Sequence, residues 1–164
     1  MDAELLSQVL FAAIKTGTPL LLIALGEVIC EKSGVLNLGQ EGMMLMGAVV
    51  GFLAAYSSGS VGLGVIGAII IGMFMSLIFA FLVLHLGANQ VATGLALTIF
   101  GTGLSAFVGS GVVGQTVQGF QPIIIPVLSD IPFIGHILFT HDLLVYLSFV
   151  LAALVSYVAT KTRV

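Results

Sequence analysis

The chain has 164 residues, 59% of them hydrophobic and 7% charged, and four Lys or Arg against seven Asp or Glu give a formal net charge of −3. A soluble domain carries about one quarter charged residues, so a mean hydropathy of +1.27 places the chain among integral membrane proteins. Four basic residues leave no electrostatic footprint for nucleic acid, and a single cysteine, Cys30, rules out an internal disulfide.

The N-terminal sequence MDAELLSQVL opens with Asp2 and Glu4 instead of a positive region, so it does not read as a cleavable signal and the first span is expected to be retained. Residues 5–30 form the first hydrophobic segment. Pro19 removes a backbone donor there and is expected to kink or start a helix, leaving residues 5–14 tilted or interfacial before the deeper run 20–29. Lys15 has the reach to snorkel to a headgroup.

Residues 26–48, GEVICEKSGVLNLGQEGMMLMGA, read as a broken membrane helix, with the interruption near residues 26–42. Glu27, Glu31, Lys32 and Glu41 interrupt the apolar run, and Gly34, Gly39 and Gly42 loosen the backbone before the methionines resume it. Such a break persists at membrane depth only where protein or a water-filled cavity satisfies its N–H and C=O groups, and discontinuous helices of this kind build transporter binding sites. Residues 43–56 then make a short second segment that needs residues 39–42 to complete a crossing. A Ser/Gly turn is expected over residues 57–62.

Residues 61–84 supply a full third span in which Gly64, Ala68, Gly72, Ser76 and Ala80 recur every four residues, a stripe that reads as helix packing. A short polar connection follows at residues 85–90. The fourth span, residues 91–108, carries a second stripe, Gly94, Thr98, Thr102 and Ala106. Its hydroxyls suit either intrahelical bonding or a water-lined path. Residues 109–141 form a long connection broken by Pro122, Pro126, Pro132 and Gly135, with apolar pieces at 123–128 and 131–139 that fit an interfacial or re-entrant lid. Residues 142–160 make the fifth span, ended by Lys161 and Arg163. The predicted architecture is an all-α polytopic transmembrane helical bundle of about five membrane segments, in a single transmembrane domain.

Basic residues at span ends stay on the cytoplasmic side. Lys161 and Arg163 therefore place the C-terminus inside, and counting back places the 85–90 connection and Lys32 inside and the 109–141 connection outside.

The catalytic inventory is empty. His85, His136 and His141 fall on opposite predicted sides without a nucleophile–base pair or metal-ligand spacing, so no catalytic residue, metal site or cofactor is assigned, and His136 and His141 read as interfacial loop residues. The acids of the break are better candidates, because an ionised carboxylate in hydrocarbon costs ~2.5–3.5 kcal/mol even on insertion scales. Glu31 and Lys32 read as an interfacial pair at a helix end. Glu41 follows Asn37 by four residues, so on a resumed helix both would face one cavity, although a helix-end role fits Glu41 equally. Asn37, Glu41, Thr98 and Thr102 are the candidate lining of a substrate path.

The string SGVLNLGQEGMMLMGA at residues 33–48 resembles the permease subunits of bacterial ABC importers for nucleosides and simple sugars, within the branched-chain amino-acid/ribose-type permease superfamily. TPLLLIALGEVICEKSG (18–34), GANQVATGLALTIFGTGLSAFVG (87–109), IPFIGHILF (131–139) and the final KTR (161–163) match the same family in the same order. The resemblance implies a multi-pass permease of the bacterial inner membrane, fed by an extracytoplasmic substrate-binding lipoprotein, paired with a second permease subunit and driven by separate ABC ATPase subunits. No cofactor is implied for the chain itself, since ATP is used by those partners, and no phosphate-cradling GxxxxGK[ST] loop is present. The resemblance further implies that the 164 residues are the N-terminal half of a longer permease. A branched-chain amino-acid permease, and a non-transporting interaction subunit or passive channel, are the rival expectations.

Overall fold

A computed structural model describes residues 3–124, 126, 129 and 134–161. Along the chain the helices are α1 (Ala3–Lys32), α2 (Gln40–Ser58), α3 (Val61–Ala80), α4 (Gln90–Gly109), the one-turn α5 (Ile134–Leu138) and α6 (Leu143–Lys161). The described residues include no strand. Five helical stretches, 4–32, 40–58, 61–85, 90–112 and 143–161, are long and apolar enough to cross a membrane. The all-α polytopic class and the five spans therefore stand as expected. Asp2, Asp130, Pro132 and Arg163 lie outside the described residues, as does part of the proposed lid.

The chain divides into two compact units, one of residues 33–119 and one of residues 1–32 with 120–164. In the first, α2, α3 and α4 pack around Met46, Met75, Phe79, Val83 and Leu97, with Met43, Val50 and Ile71 against them. Apolar residues also dominate the outer faces: Leu77 and Ile99 are 65% and 74% exposed. That distribution suits lipid, where burying an apolar side chain against another helix yields no hydrophobic gain and association depends on close backbone approach.

Small residues supply that approach. Between α2 and α3, a methyl placed on Gly64 would lie 2.8 Å from both the Gly51 carbonyl oxygen and Ala55 Cβ. Gly51 in turn faces Ala68, and Gly67 faces Ala54. The four-residue stripe on α3 is thus a packing surface at Gly64 and Ala68, but Gly72 faces open space. The end of α3 widens into a π turn at Phe81–His85, where the Leu86 N–H donates to the Phe81 carbonyl at 3.1 Å. α4 then starts from Asn89, whose side chain accepts from the Ala92 N–H at 3.0 Å as an N-cap.

In the other unit α6 packs along α1, and Val145 and Ser148 are almost fully buried. α1 is one helix of 30 residues that contains Pro19. Residues 5–14 are therefore the first turns of the same helix and not a separate interfacial segment. The Thr18 and Thr16 hydroxyls donate to the Ile14 and Ala12 carbonyls at 2.9 and 2.7 Å, adding polar satisfaction to the turn that precedes the proline. At its other end Lys32 donates from Nζ to the Ala159 carbonyl in the last turn of α6, where a cation meets the negative end of the helix dipole.

Candidate functional site

The interruption predicted near residues 26–42 is a seven-residue segment, 33–39, between α1 and α2. Glu27, Glu31 and Lys32 belong to the end of α1, not to the break. Gly34 takes φ +81°, a left-handed conformation that a side chain would strain. Gly39 is the residue before α2, and its N–H donates to Asn37 Oδ1 at 3.0 Å. This bond turns Asn37 into a local bracket for the start of the helix.

The segment's polar backbone is satisfied chiefly by α4. The Leu36 N–H donates to Gln90 Oε1 at 2.7 Å, and Thr98 Oγ1 donates to the Leu38 carbonyl at 2.8 Å. Between these two bonds, one and two turns along α4, Gly94 lets the helix come so near that a methyl there would lie 2.8 Å from Leu38 N. Gln90, Gly94 and Thr98 thus form a four-residue ladder against which the segment lies.

Asn37 is 7% exposed. Its Nδ2 approaches Met43 Sδ at 3.8 Å, and Ser76 Oγ on α3 donates to the same sulfur at 3.5 Å. The thioether is a weak acceptor, and here it joins the loop, α2 and α3 at one soft, polarizable atom.

Gly42 has a role other than loosening the backbone. It lies inside α2 against α4, where an added methyl would fall 2.6 Å from the Leu97 carbonyl oxygen and 2.7 Å from Thr98 Cα. The four-residue spacing of Asn37 and Glu41 does not put them on one helix face, since α2 begins only at Gln40. Glu41 is exposed in the first turn of α2, an end where the helix dipole favours a carboxylate. Thr102 is also exposed, and its Oγ1 donates to the Thr98 carbonyl of its own helix at 2.8 Å.

The structure therefore brings Asn37, Thr98, Gly39 and Gly42 into one neighbourhood, and leaves Glu41 and Thr102 on exposed helix surface. Sequence reasoning missed Gln90 and Met43. Gln90 had a usable signal: an amide side chain at the start of a span, eight residues before Thr98 and four before Gly94, repeats the same helix face. No group of three or more His, Cys, Asp or Glu suited to a metal ion occurs among the described residues.

Residues 9–164 match the family model described as branched-chain amino acid transport system / permease component. The putative glucose ABC transporter permease protein TsgC13 of Haloferax volcanii is 42% identical over 141 residues, covering 84% of this chain and 43% of that protein. The guanosine ABC transporter permease protein NupQ of Bacillus subtilis is 30% identical over 95% of this chain and 51% of its own length. The nucleoside ABC transporter permease protein NupC of Lactococcus lactis is 32% identical over 89% of this chain and 50% of its own length. The chain spans about half the length of the curated relatives it matches, and no solved structure matches it. A multi-pass helical chain with a stapled break between its first two spans, it belongs to the permease component family of the branched-chain amino acid transport system.

Proposed function

We propose that the chain is the N-terminal half of an ABC importer permease that moves nucleosides or simple sugars by alternating access, with Asn37, Glu41, Thr98 and Thr102 along the substrate path. The observation that carries this reading is the segment 33–39: a non-helical stretch between two apolar spans whose Leu36 and Leu38 backbone groups are held by Gln90 and Thr98. Irregular backbone of this kind is tolerated in a membrane where it borders a cavity or another protein segment. Thr98 and Asn37 shape the path from behind the segment, and the exposed Glu41 and Thr102 present polar groups to it. Gly34 and Gly39 are structural residues of the break, and Gly42 is where α2 meets α4.

On this reading the remaining parts are supplied by partners: a second permease subunit, ABC ATPase subunits that hydrolyse ATP, and an extracytoplasmic substrate-binding lipoprotein. The chain resides in the cell membrane, the inner membrane where a cell has two, and performs no bond chemistry itself. The nucleoside and sugar permeases among its relatives support the substrate class.

The family description gives a second reading, transport of branched-chain amino acids. Uptake of labelled guanosine and of labelled glucose into vesicles carrying the complete transporter, each with leucine as competitor, separates the two. ATP-dependent uptake of guanosine or glucose that leucine leaves unchanged supports the proposal, and leucine uptake alone replaces it with the second reading.

A further inference from the structure

Gln90 is the first residue of α4 and is half-buried. Its Oε1 accepts from the Leu36 N–H at 2.7 Å. Of the two ends of a side-chain amide only the oxygen accepts, so this bond also fixes which way the amide faces. Within the 33–39 segment the Leu38 carbonyl is held by Thr98, and the Gly39 N–H by Asn37 of the segment itself. Thr98 lies about two turns further along α4. Between the two ties Gly94 contributes only backbone contact, with a methyl there reaching 2.8 Å from Leu38 N. The bond to Leu36 is thus the tie from the very start of α4.

A glutamine side chain has three rotatable bonds and fixes nothing unless its own backbone is fixed. Here the start of α4 supplies that anchor. Asn89 accepts from the Ala92 N–H at 3.0 Å through its side chain and from the Thr93 N–H at 2.9 Å through its carbonyl. The connection before it is closed in the same way. The Leu86 N–H donates to the Phe81 carbonyl at 3.1 Å and the Ala88 N–H to the Leu82 carbonyl at 3.0 Å, with Gly87 at φ +67° between them. Carbonyls of the π turn therefore anchor the connection, the Asn89 cap anchors the first turn of α4, and Gln90 reaches from that turn to Leu36.

We infer that Gln90 is a positioning residue for transport: through Leu36 it sets where the 33–39 segment lies, and the Asn89 cap sets where Gln90 lies. Gln90 itself does not contact the solute. The inference rests on the proposed function, in which the segment borders the solute path. Loss of one hydrogen bond to a backbone group changes an equilibrium by about tenfold. Without this bond the segment leaves its place in a larger share of transport cycles, and a cycle with the path wall displaced hydrolyses ATP without delivering solute. The effect therefore falls on the ratio of solute imported to ATP hydrolysed. A glutamine that only helped α4 to fold would lower both rates together, through fewer active transporters, and leave their ratio unchanged.

The test has two arms. In the first, the full chain is held in lipid nanodiscs and amide hydrogen exchange is followed residue by residue. Gln90→Leu, which keeps bulk and loses the acceptor, is expected to speed exchange at Leu36 about tenfold. Exchange at Met43, whose N–H donates to the Gly39 carbonyl at the start of α2, is expected to stay near wild type. Gln90→Glu keeps an oxygen at the same reach and is expected to preserve the protection of Leu36, whereas Gln90→Asn, one methylene shorter, is not. Asn89→Ala leaves Gln90 in place but removes its anchor, and is expected to speed exchange at Leu36 several-fold; Asn89→Asp, an equivalent cap, is expected to spare it. In the second arm, uptake of guanosine and of glucose and the hydrolysis of ATP are measured together in proteoliposomes carrying the complete transporter. Gln90→Leu is expected to lower the solute-to-ATP ratio several-fold and Gln90→Glu to restore it. Unchanged protection of Leu36 in both Gln90→Leu and Asn89→Ala overturns the inference, as does equal loss at Leu36 and Met43. A solute-to-ATP ratio that stays at the wild-type value in Gln90→Leu also overturns it and makes Gln90 a structural residue only. Failure of the wild-type transporter to take up either solute overturns the proposed function instead, and the exchange arm then decides by itself whether Gln90 holds the segment.

Discussion

Gly101 of α4 meets Gly42 of α2 so closely that a methyl on Gly101 would lie 2.6 Å from Gly42 Cα. No side chain can retreat from that contact, because both sides of it are backbone. Gly101→Val is expected to cost about 1–3 kcal/mol or to prevent α2 and α4 from associating. Gly72→Val, in an equally glycine-rich span but facing open space, is expected to be tolerated. The comparison is made by the yield of monodisperse protein in detergent and by its thermal unfolding midpoint; equal loss in both variants would contradict the packing account.

The Thr98 and Thr102 hydroxyls look alike in sequence but differ in what they hold. Thr98 donates across to the Leu38 carbonyl, and Thr102 donates to its own helix. Thr98→Val is expected to destabilise the fold by about 1 kcal/mol and to loosen the 33–39 segment, and Thr102→Val to do neither. Hydrogen exchange at the amides of residues 36–39 reports the loosening. Unchanged exchange in Thr98→Val would show that the segment is not held through Thr98.

Cysteines introduced at Ser58 and Gln118 are expected to react with an impermeant thiol reagent in intact cells, and one at Ala88 only after permeabilisation. Lys32 and Lys161 motivate this orientation, and α2, α3 and α4 place residue 88 at the opposite end of two helices from residue 58. Labelling of Ala88→Cys in intact cells would reverse it.

Glu41 and Glu31 are both exposed, but Glu41 starts α2 beside the stapled segment and Glu31 belongs to the last turn of α1. In a complete transporter Glu41→Gln is expected to lower the uptake rate several-fold and Glu31→Gln to leave it near wild type. Equal activity of Glu41→Gln and wild type, at matched expression, would remove Glu41 from the path.

Hydropathy and the placement of Gly, Ser and charge were enough to read the five spans, since length and apolarity in lipid leave few alternatives. The break was legible for the same reason, but its limits were not: Glu27, Glu31 and Lys32 are tolerated as the polar end of a helix, so charge alone overstated the interruption. α1 runs through Pro19 as one helix, so residues 5–14 are not a separate element, and the Thr16 and Thr18 hydroxyls bond the Ala12 and Ile14 carbonyls in the turn before it. The site was legible only in part. Thr98 was singled out on helical spacing, but its partner Leu38 is a backbone carbonyl and leaves no trace in side-chain chemistry. Gly42 was assigned flexibility when its contact with α4 requires the absence of a side chain. His141 was read as an interfacial loop residue because its stacking partner, Phe11, is distant in sequence and its ring nitrogen meets a backbone carbonyl, that of Ile137.

The most direct test of the permease reading is the initial rate of solute uptake into proteoliposomes containing this chain, the complementary half of a permease of this family, the second permease subunit, the ATPase subunits and the substrate-binding lipoprotein, with and without ATP. The account predicts uptake of guanosine or glucose that requires ATP hydrolysis and is absent when the chain is reconstituted with the ATPase alone. Uptake that proceeds without ATP would identify a passive channel, and ATP-driven uptake by the chain without any other permease segment would contradict the half-permease account.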